Sequence, residues 1–412
     1  MSKELNIKSE LTRIRRQDTS NTCEALSQWD HSQWILDDYA LVHRSRGFFQ
    51  VIGMKSQSTN EESLILYQPQ SALCGLIFTR INDQIHALIH ARFEPGNPDF
   101  YQFGPTIQST AANYLRVHGG KATPYYEFFS GYSPNIRPLY TTTQFDLEHR
   151  YFQKTKVLSY LWADIAFEPE QNFIWAPLDE LINLAGEDEF FNPDLRSLLI
   201  LFDWSRIPGA TRSVPNFSLD FGNFRSEPAR NSDWKIVPLQ SLKRWRVTEE
   251  GIIDSDSEGL NVRLYDIYCQ SRENPRWVQP LMEAGNEGLV QLGIRHHAGG
   301  TEFLIYHQHM MGVGPQGVVL PSYWRYPGQT HGYGNPLTGS VIRDFVQSDE
   351  GGRFIRHANR YQVIEVDGLI ELQPGQAWVT ESQLKNLLHT SNLIGFSLRI
   401  ALSSLLNRFV SN

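Results

Sequence analysis

The sequence predicts an α+β protein in which one domain plan is used twice. Three observations carry this: residue matches at nearly constant offset, short β-branched and aromatic segments bounded by turn residues, and a helical apolar period near the end of each half. Trp34-Ile35-Leu36-Asp37 matches Trp245-Arg246-Val247-Thr248, and Gln68-Pro69 matches Gln279-Pro280, both at an offset of 211. Gly75-Leu76-Ile77 matches Gly288-Leu289-Val290, and Gly96 and Pro105-Thr106 match Gly312 and Pro321-Ser322 at 216. The offset then settles at 203, pairing Gln144, Asp146, Arg150, Asp164, Trp175, Leu181 and Arg196 with Gln347, Asp349, Arg353, Asp367, Trp378, Leu384 and Arg399. The expected organisation is an N-terminal extension over 1–27, a first copy over 28–206, a Pro/Ser/Asn-rich linker over 207–233 and a second copy over 234–408.

Each element follows from its own pattern. ALIHARFE, KVLSYLWAD, TEFLIYHQH and RYQVIEVDG are short and rich in β-branched and aromatic residues, so they are strands. In APLDELINLAG, Leu178, Leu181, Ile182 and Ala185 fall on one helical face. TESQLKNLLH does the same with Leu384, Leu387 and Leu388, with Thr380 as its N-cap.

Composition narrows the function classes. A hydrophobic fraction of 41% supports full cores, and a net charge of −8 argues against a nucleic-acid binder held by a basic face. Three dispersed cysteines, Cys23, Cys74 and Cys269, suit free thiols in a reducing cytoplasm and form no CxxC zinc pair. The N-terminus shows no signal-peptide run and no segment approaches a membrane span, so a cytoplasmic protein with no membrane partner is expected.

Two stretches concentrate polar chemistry. The first runs from Glu94-Pro95-Gly96-Asn97 through Gly104–Thr110 to Asn113-Tyr114 and His118-Gly119-Gly120. Such a loop can expose N–H and side-chain donors to a polar ligand, or it can be a plain turn-rich connection. The second runs from Gln347 to Phe354 and on to His357 and Asn359-Arg360-Tyr361; it reads as an anion site or as a charged hairpin. Other patterns carry less. Gly312–Gly317 fits GxGxxG, but Pro315 sits inside it and no helix follows. His86/His90 and His307/His309 lack a carboxylate at metal spacing and read as structural. Asn216-Phe217-Ser218 is a glycosylation pattern without consequence in the cytoplasm.

EPGNPDFYQFGPTIQSTAANYLRVHGG (94–120), RWVQPLMEAGNEGLVQLGIRH (276–296), QSDEGGRFIRHANRYQVIEV (347–366) and the closing SLRIALSSLL together resemble the NDP-hexose 2,3-dehydratases, over roughly 28–408. The resemblance implies duplicated Nudix-like α+β domains, a homodimer, and action on a dTDP-linked 4-keto-6-deoxyhexose in 2-deoxysugar biosynthesis. It implies no metal or redox cofactor, and a separate 3-ketoreductase that captures the product. The absence of a Nudix box speaks against pyrophosphate hydrolysis. Two loops depart from the family pattern. Gln144–His149 lacks the serine and glycine of its counterpart, and Met310-Met311-Gly312 with Leu320–Trp324 replaces the acidic-Gly and GPTVQ-type loops. Each copy therefore keeps the half that the other has lost. Either neither pocket is complete or one composite pocket survives, and the sequence leaves both open.

The implied reaction removes the C3 proton, acidified by the C4 ketone, and expels the C2 hydroxyl. Carried onto this chain, the resemblance assigns Gln108, Asn113, Tyr114 and His118 to the sugar or to acid–base work. Glu94, Gly96 and Thr106 shape their loop. Arg353, Asn359 and Arg360 hold the diphosphate, with Gln347, Glu350 and Tyr361 nearby. The catalytic set is then His118, Tyr114 and Glu350. His118 and Tyr114 titrate in a useful range if perturbed, whereas Glu350 serves as base only if its carboxyl is raised. Two alternatives remain: a repurposed homologue, in which Tyr323-Trp324-Arg325-Tyr326 stacks a different substrate, and a binding protein without turnover.

Overall fold

The computed structural model describes residues 6–17, 20–29, 31–117, 119–131, 133–209, 233–314 and 316–410. In the first half the elements are α1 (Ile7–Gln17), β1 (Thr22–Ala25), β2 (Trp34–Leu36), β3 (Ala40–His43), β4 (Gln50–Ser56), β5 (Glu62–Tyr67), β6 (Ala72–Ile81) and β7 (Gln84–Phe93). They continue with β8 (Tyr101–Gly104), β9 (Ile107–Ser109), α2 (Ala111–Tyr114), α3 (Tyr126–Ser130), β10 (Ile136–Phe145), β11 (Thr155–Ala163), β12 (Phe173–Pro177), α4 (Leu178–Leu184) and α5 (Pro193–Leu201). The second half opens with β13 (Trp234–Val237), β14 (Trp245–Val247), β15 (Ile252–Asp254), β16 (Leu260–Tyr268), β17 (Arg276–Ala284), β18 (Gly288–His297) and β19 (Gly300–Gln308). It ends with β20 (Val318–Leu320), β21 (Tyr323–Arg325), β22 (Gly339–Ser348), β23 (Phe354–Ile355), β24 (Ala358–Val366), β25 (Gln376–Thr380), α6 (Glu381–Leu388), α7 (Phe396–Ser403) and α8 (Leu406–Val410). Mixed sheets with few helices make this an α+β chain, as expected.

Among the described residues four sheets form, two large and two small. One large sheet has the order β10-β11-β6-β7-β12, with β8 on β7 and β9 on β6. The other has β22-β24-β18-β19-β25, with β20 on β19 and β21 on β18. In each, one inner pair is parallel, β11 with β6 and β24 with β18. The register also corrects one sequence match. Lys156 lies opposite Ala72 and Asn359 opposite Gly288, so Gly288 takes the place of Ala72, and Gly75 corresponds to Gln291. The hydroxyls agree: Thr106 Oγ1 accepts from Ile77 N at 3.0 Å, and Ser322 Oγ from Gly293 N at 2.8 Å. A glycine in two similar apolar strands had drawn the match three residues off.

The small sheets exchange their edges. One runs β13-β4-β3-β2 with β5 on β4; the other runs β14-β15-β16-β17-β23 with β1 on β16. Thr22–Ala25 thus pairs with Tyr268–Tyr265, and Trp234–Val237 with Ser56–Gly53. Strand β1 belongs to the stretch expected as an extension, and β13 to the stretch expected as the second copy. Each crosses to the other half's sheet.

The expected strands are β7, β11, β19 and β24, and the expected helices are α4 and α6, the latter closed by a Thr380–Gln383 capping box. The extension holds α1, which buries Ile7, Leu11 and Ile14 at helical spacing and is tied down by Arg15 to the Tyr101 carbonyl at 2.6 Å. Helices α5 and α7, buried along their whole length, pack on one another between the halves. Two arginines cross that junction. Arg196 donates to Gln347 Oε1 at 2.7 Å, and Arg399 to the Phe145 carbonyl at 3.0 Å. The linker stretch 210–232, with its Asn216 sequon, lies outside the described residues.

Candidate active site

The loop after β7 and the loop after β22 lock together. Gly96 N donates to the Gly351 carbonyl at 2.9 Å, and a Cβ on Gly96 would overlap the Phe354 carbonyl oxygen. Only glycine allows this approach. Above the junction opens a cavity of about 400 Å³, lined from the first half by Glu94, Gln108, Asn113 and Lys156 and from the second by Glu350 and Arg353. Trp34, Phe48, Phe49 and Trp277 add aromatic surface to its lining. The pocket is therefore composite, built within one chain from the half that each stretch keeps.

Glu94 and Glu350 face this space in opposite environments. Glu94 is buried, and burial raises its carboxyl above the ordinary range although Arg92 Nε stands 3.3 Å away. It accepts from Gln108 Nε2 at 2.9 Å, and Gln108 in turn accepts from Asn192 Nδ2 at 2.8 Å. Asn192 also caps α5, accepting from Leu195 N at 2.9 Å, so a helix start fixes the amide chain. Glu350 is held well below the ordinary range, because Lys156, Lys154 and Arg353 outweigh its desolvation. Its Oε2 accepts from Tyr151 Oη at 3.0 Å and lies 3.8 Å from Lys156 Nζ.

Beneath them runs a buried ionic floor. Lys156 Nζ lies 2.7 Å from Asp194 and 3.1 Å from Asp146, which also sits 3.2 Å from Lys154 Nζ. Elsewhere in the lining, burial and the neighbouring Arg92 lower Arg272, although Glu273 lies 3.3 Å from it. Arg92, Arg272, Arg353 and Lys156 line the cavity against Glu94, Glu273 and Glu350, one more cation than anions, which favours an anionic guest.

The corresponding place in the other half is full. By register and the 203 and 216 offsets, Met310, Trp324, Tyr326, Leu147 and Arg150 stand where Glu94, Gln108, Thr110, Glu350 and Arg353 stand. There His149 stacks on Tyr326 with ring centroids 3.5 Å apart, Tyr326 Oη meets Ser397 Oγ at 2.9 Å, and Arg150 donates to the Pro327 carbonyl. Trp324 is fully buried against Tyr333. The aromatic run 323–326 therefore offers no stacking surface in the open cavity.

A family model described as NDP-hexose 2,3-dehydratase matches residues 7–202, 224–319 and 330–405. The chain belongs to the NDP-hexose 2,3-dehydratase family. Membership makes it a sugar-nucleotide 2,3-dehydratase, a hydro-lyase. Relatives named dTDP-4-dehydro-6-deoxy-alpha-D-glucopyranose 2,3-dehydratase come from Amycolatopsis orientalis, 27% identical over 91% of this chain and 84% of the relative, and Saccharopolyspora spinosa, 25% over 91% and 85%. One from Streptomyces violaceoruber is 25% identical over 91% of this chain and 90% of its own length. A solved structure described as an ADP compounds hydrolase overlaps 46% of this chain and 95% of its own, at 11% identity and a TM-score of 0.24. No helix among the described residues is long and apolar enough to cross a membrane.

In this dehydratase, five of the residues singled out from sequence meet in the cavity: Glu94, Gln108, Asn113, Glu350 and Arg353. The others among the described residues stand outside it, for local reasons. Gly96 serves the loop junction, and Thr106 donates to the Leu88 carbonyl inside the sheet. Tyr114 stacks on Tyr126 at 4.9 Å. Gln347 receives Arg196, Asn359 donates to Asp349 at 3.2 Å, and Tyr361 packs on Phe345. Arg360 points outward along β24 to Asp344 and Glu287, so it cannot hold a diphosphate in this cavity. His118 lies outside the described residues. The histidine pairs have packing roles: His90 stacks on Phe173 at 4.0 Å, and His307 Nε2 meets the Gln316 carbonyl at 2.8 Å. Sequence reasoning missed Arg92, Lys156 and Arg272. A usable signal was present, since Lys154 and Lys156 share one face at the start of an otherwise apolar strand.

Proposed function

We propose that this dehydratase removes water across C2–C3 of a dTDP-linked 4-keto-6-deoxyhexose. The observation that carries the reading is the composite cavity, where a carboxyl raised by burial and a carboxylate held ionised share one space. Glu94 is the acid–base group: it takes the C3 proton and returns it to the departing C2 hydroxyl. Glu350 stays ionised and offsets the positive charge of Arg353 beside the lysines, a different role from the base expected of it. Arg272 and Arg92 take the diphosphate in place of Asn359 and Arg360, and Trp277 with Phe48 offers faces to the base. Gln108 and Asn113 bind sugar hydroxyls.

The halves 28–206 and 234–408 are read as copies from an internal duplication of a Nudix-like domain. Support comes from their matched strand orders and from reciprocal edge strands. A homodimer in the cytoplasm and a downstream 3-ketoreductase complete the reading, the latter because a 3,4-diketo sugar is reactive. The test is incubation with dTDP-4-keto-6-deoxyglucose and a 3-ketoreductase. A product lighter by the mass of one water is expected, and an unchanged substrate mass sinks the reading.

A further inference from the structure

We propose that Lys156 is a catalytic residue of this reaction, its ammonium receiving the C4 carbonyl oxygen of the sugar as negative charge develops there. The inference rests on the dehydratase reading above. Lys156 lines the cavity floor beside Glu350, within reach of a sugar held between Glu94 and the loop of Arg353. Among the described residues its Nζ lies within hydrogen-bond distance of two carboxylates, Asp194 at 2.7 Å and Asp146 at 3.1 Å, with Glu350 farther off at 3.8 Å. An ammonium has three N–H groups, so donor capacity remains for a guest. The surrounding carboxylates raise it well above its ordinary range, which keeps it a cation throughout.

A purely structural role is the rival explanation, and the other half argues against it. At the positions matching Lys156, Asp194, Glu350 and Cys74 stand Asn359, Ser397, Leu147 and Val290. Asp146 alone keeps its counterpart, Asp349, which is satisfied by His357 at 2.7 Å and Asn359 at 3.2 Å. The same framework thus forms without a lysine where side chains fill the space. The ammonium accompanies the open cavity, not the fold.

The chemistry then balances. Glu94 takes the C3 proton, the C–H electron pair becomes the C3–C4 double bond, and the carbonyl π pair moves onto O4 beside Nζ. When the ketone re-forms, the C3–C4 pair shifts to C2–C3 and the C2–O bond breaks. The hydroxyl leaves as water with the proton from Glu94. Transfer of the C3 hydroxyl proton to C2 gives the 3,4-diketone, and one water has been lost. Lys156 keeps its own protons and supplies a preorganised positive charge in a site shielded from solvent.

The experiment uses the full chain with K156N and K156N/D194S, which install the residues of the matching positions; the double variant also keeps the floor electroneutral. Turnover is followed by mass with a 3-ketoreductase present, nucleotide binding by calorimetry with dTDP, and C–H cleavage by the isotope effect of C3-deuterated substrate. The expected result is a folded double variant that binds dTDP within about threefold of wild type. Its kcat should fall by roughly 10²–10³, as for loss of one oxyanion donor, with a larger isotope effect. Turnover within tenfold of wild type overturns the proposal. So does failure of K156N/D194S to fold, because the lysine then belongs to the framework. Wild-type protein that leaves the sugar unchanged instead overturns the reading beneath it.

Discussion

Burial and charge set two carboxyl groups to different tasks at the level of single residues. Glu94 must be ionised to accept a proton, and its raised carboxyl places the acid limb of kcat/KM above the ordinary carboxylate range. Activity should fall as pH drops through that limb, and E94Q should lose about 10²–10⁴ in kcat while still binding dTDP; a pH–rate profile and calorimetry check both. Glu189 shows the stability side of the same physics. It is half-buried, its carboxylate held by Gln102 and Ser348, and pushed up to about 7, chiefly by desolvation. Because its folded value lies above its unfolded one, its contribution is complete below about pH 4.5 and is lost as pH rises through 7, by roughly 3 kcal/mol. E189Q should therefore melt at a higher temperature than wild type at pH 8 and lose that advantage at pH 4.5. Equal melting of the two proteins at pH 8 would contradict this.

Among elements, the loop junction and the buried helices show how far a sequence can be read. G96A drives a methyl into a backbone carbonyl, so the two loops must part; a loss of about 3–5 kcal/mol and of dTDP binding is expected. G352A, whose Cβ meets nothing within 4 Å, is the control and should stay within about 0.5 kcal/mol of wild type in a denaturant melt. Glu94, Gln108 and Arg353 were legible because polar residues crowd into short loops there. Arg92 was not, since it is a single charge on a strand and acquires meaning only when another strand or loop is laid beside it, and the Lys154–Lys156 pair marked a buried face without naming its partners. Asn359 and Arg360 misled because adjacent strand residues face opposite ways, and neither face of β24 there meets the cavity. Strands β7, β11, β19 and β24 and helices α4 and α6 carry a readable period. Helices α5 and α7 do not, being buried on every side, their charged Asp194, Arg196 and Arg399 included.

Across the whole molecule, each half completes the other's small sheet. Removing residues 1–25 takes away α1, with its three buried apolar side chains, and the β1 edge of a sheet formed by the second half. A drop of several kcal/mol in stability is expected, and amide exchange should quicken in β16 of the distant half, not only beside α1 at β8. Unchanged protection in β16 would refute that coupling. The same exchange of edges governs the order in which the chain can be completed during synthesis. When the first half has left the ribosome, β4 still waits for β13, while β1 is already made and has no β16 to join. The β4 edge stays open until β13 is made, and β1 waits longer, until translation has passed β16. The two halves therefore reach their final state together, and neither can be lifted out as an independent module.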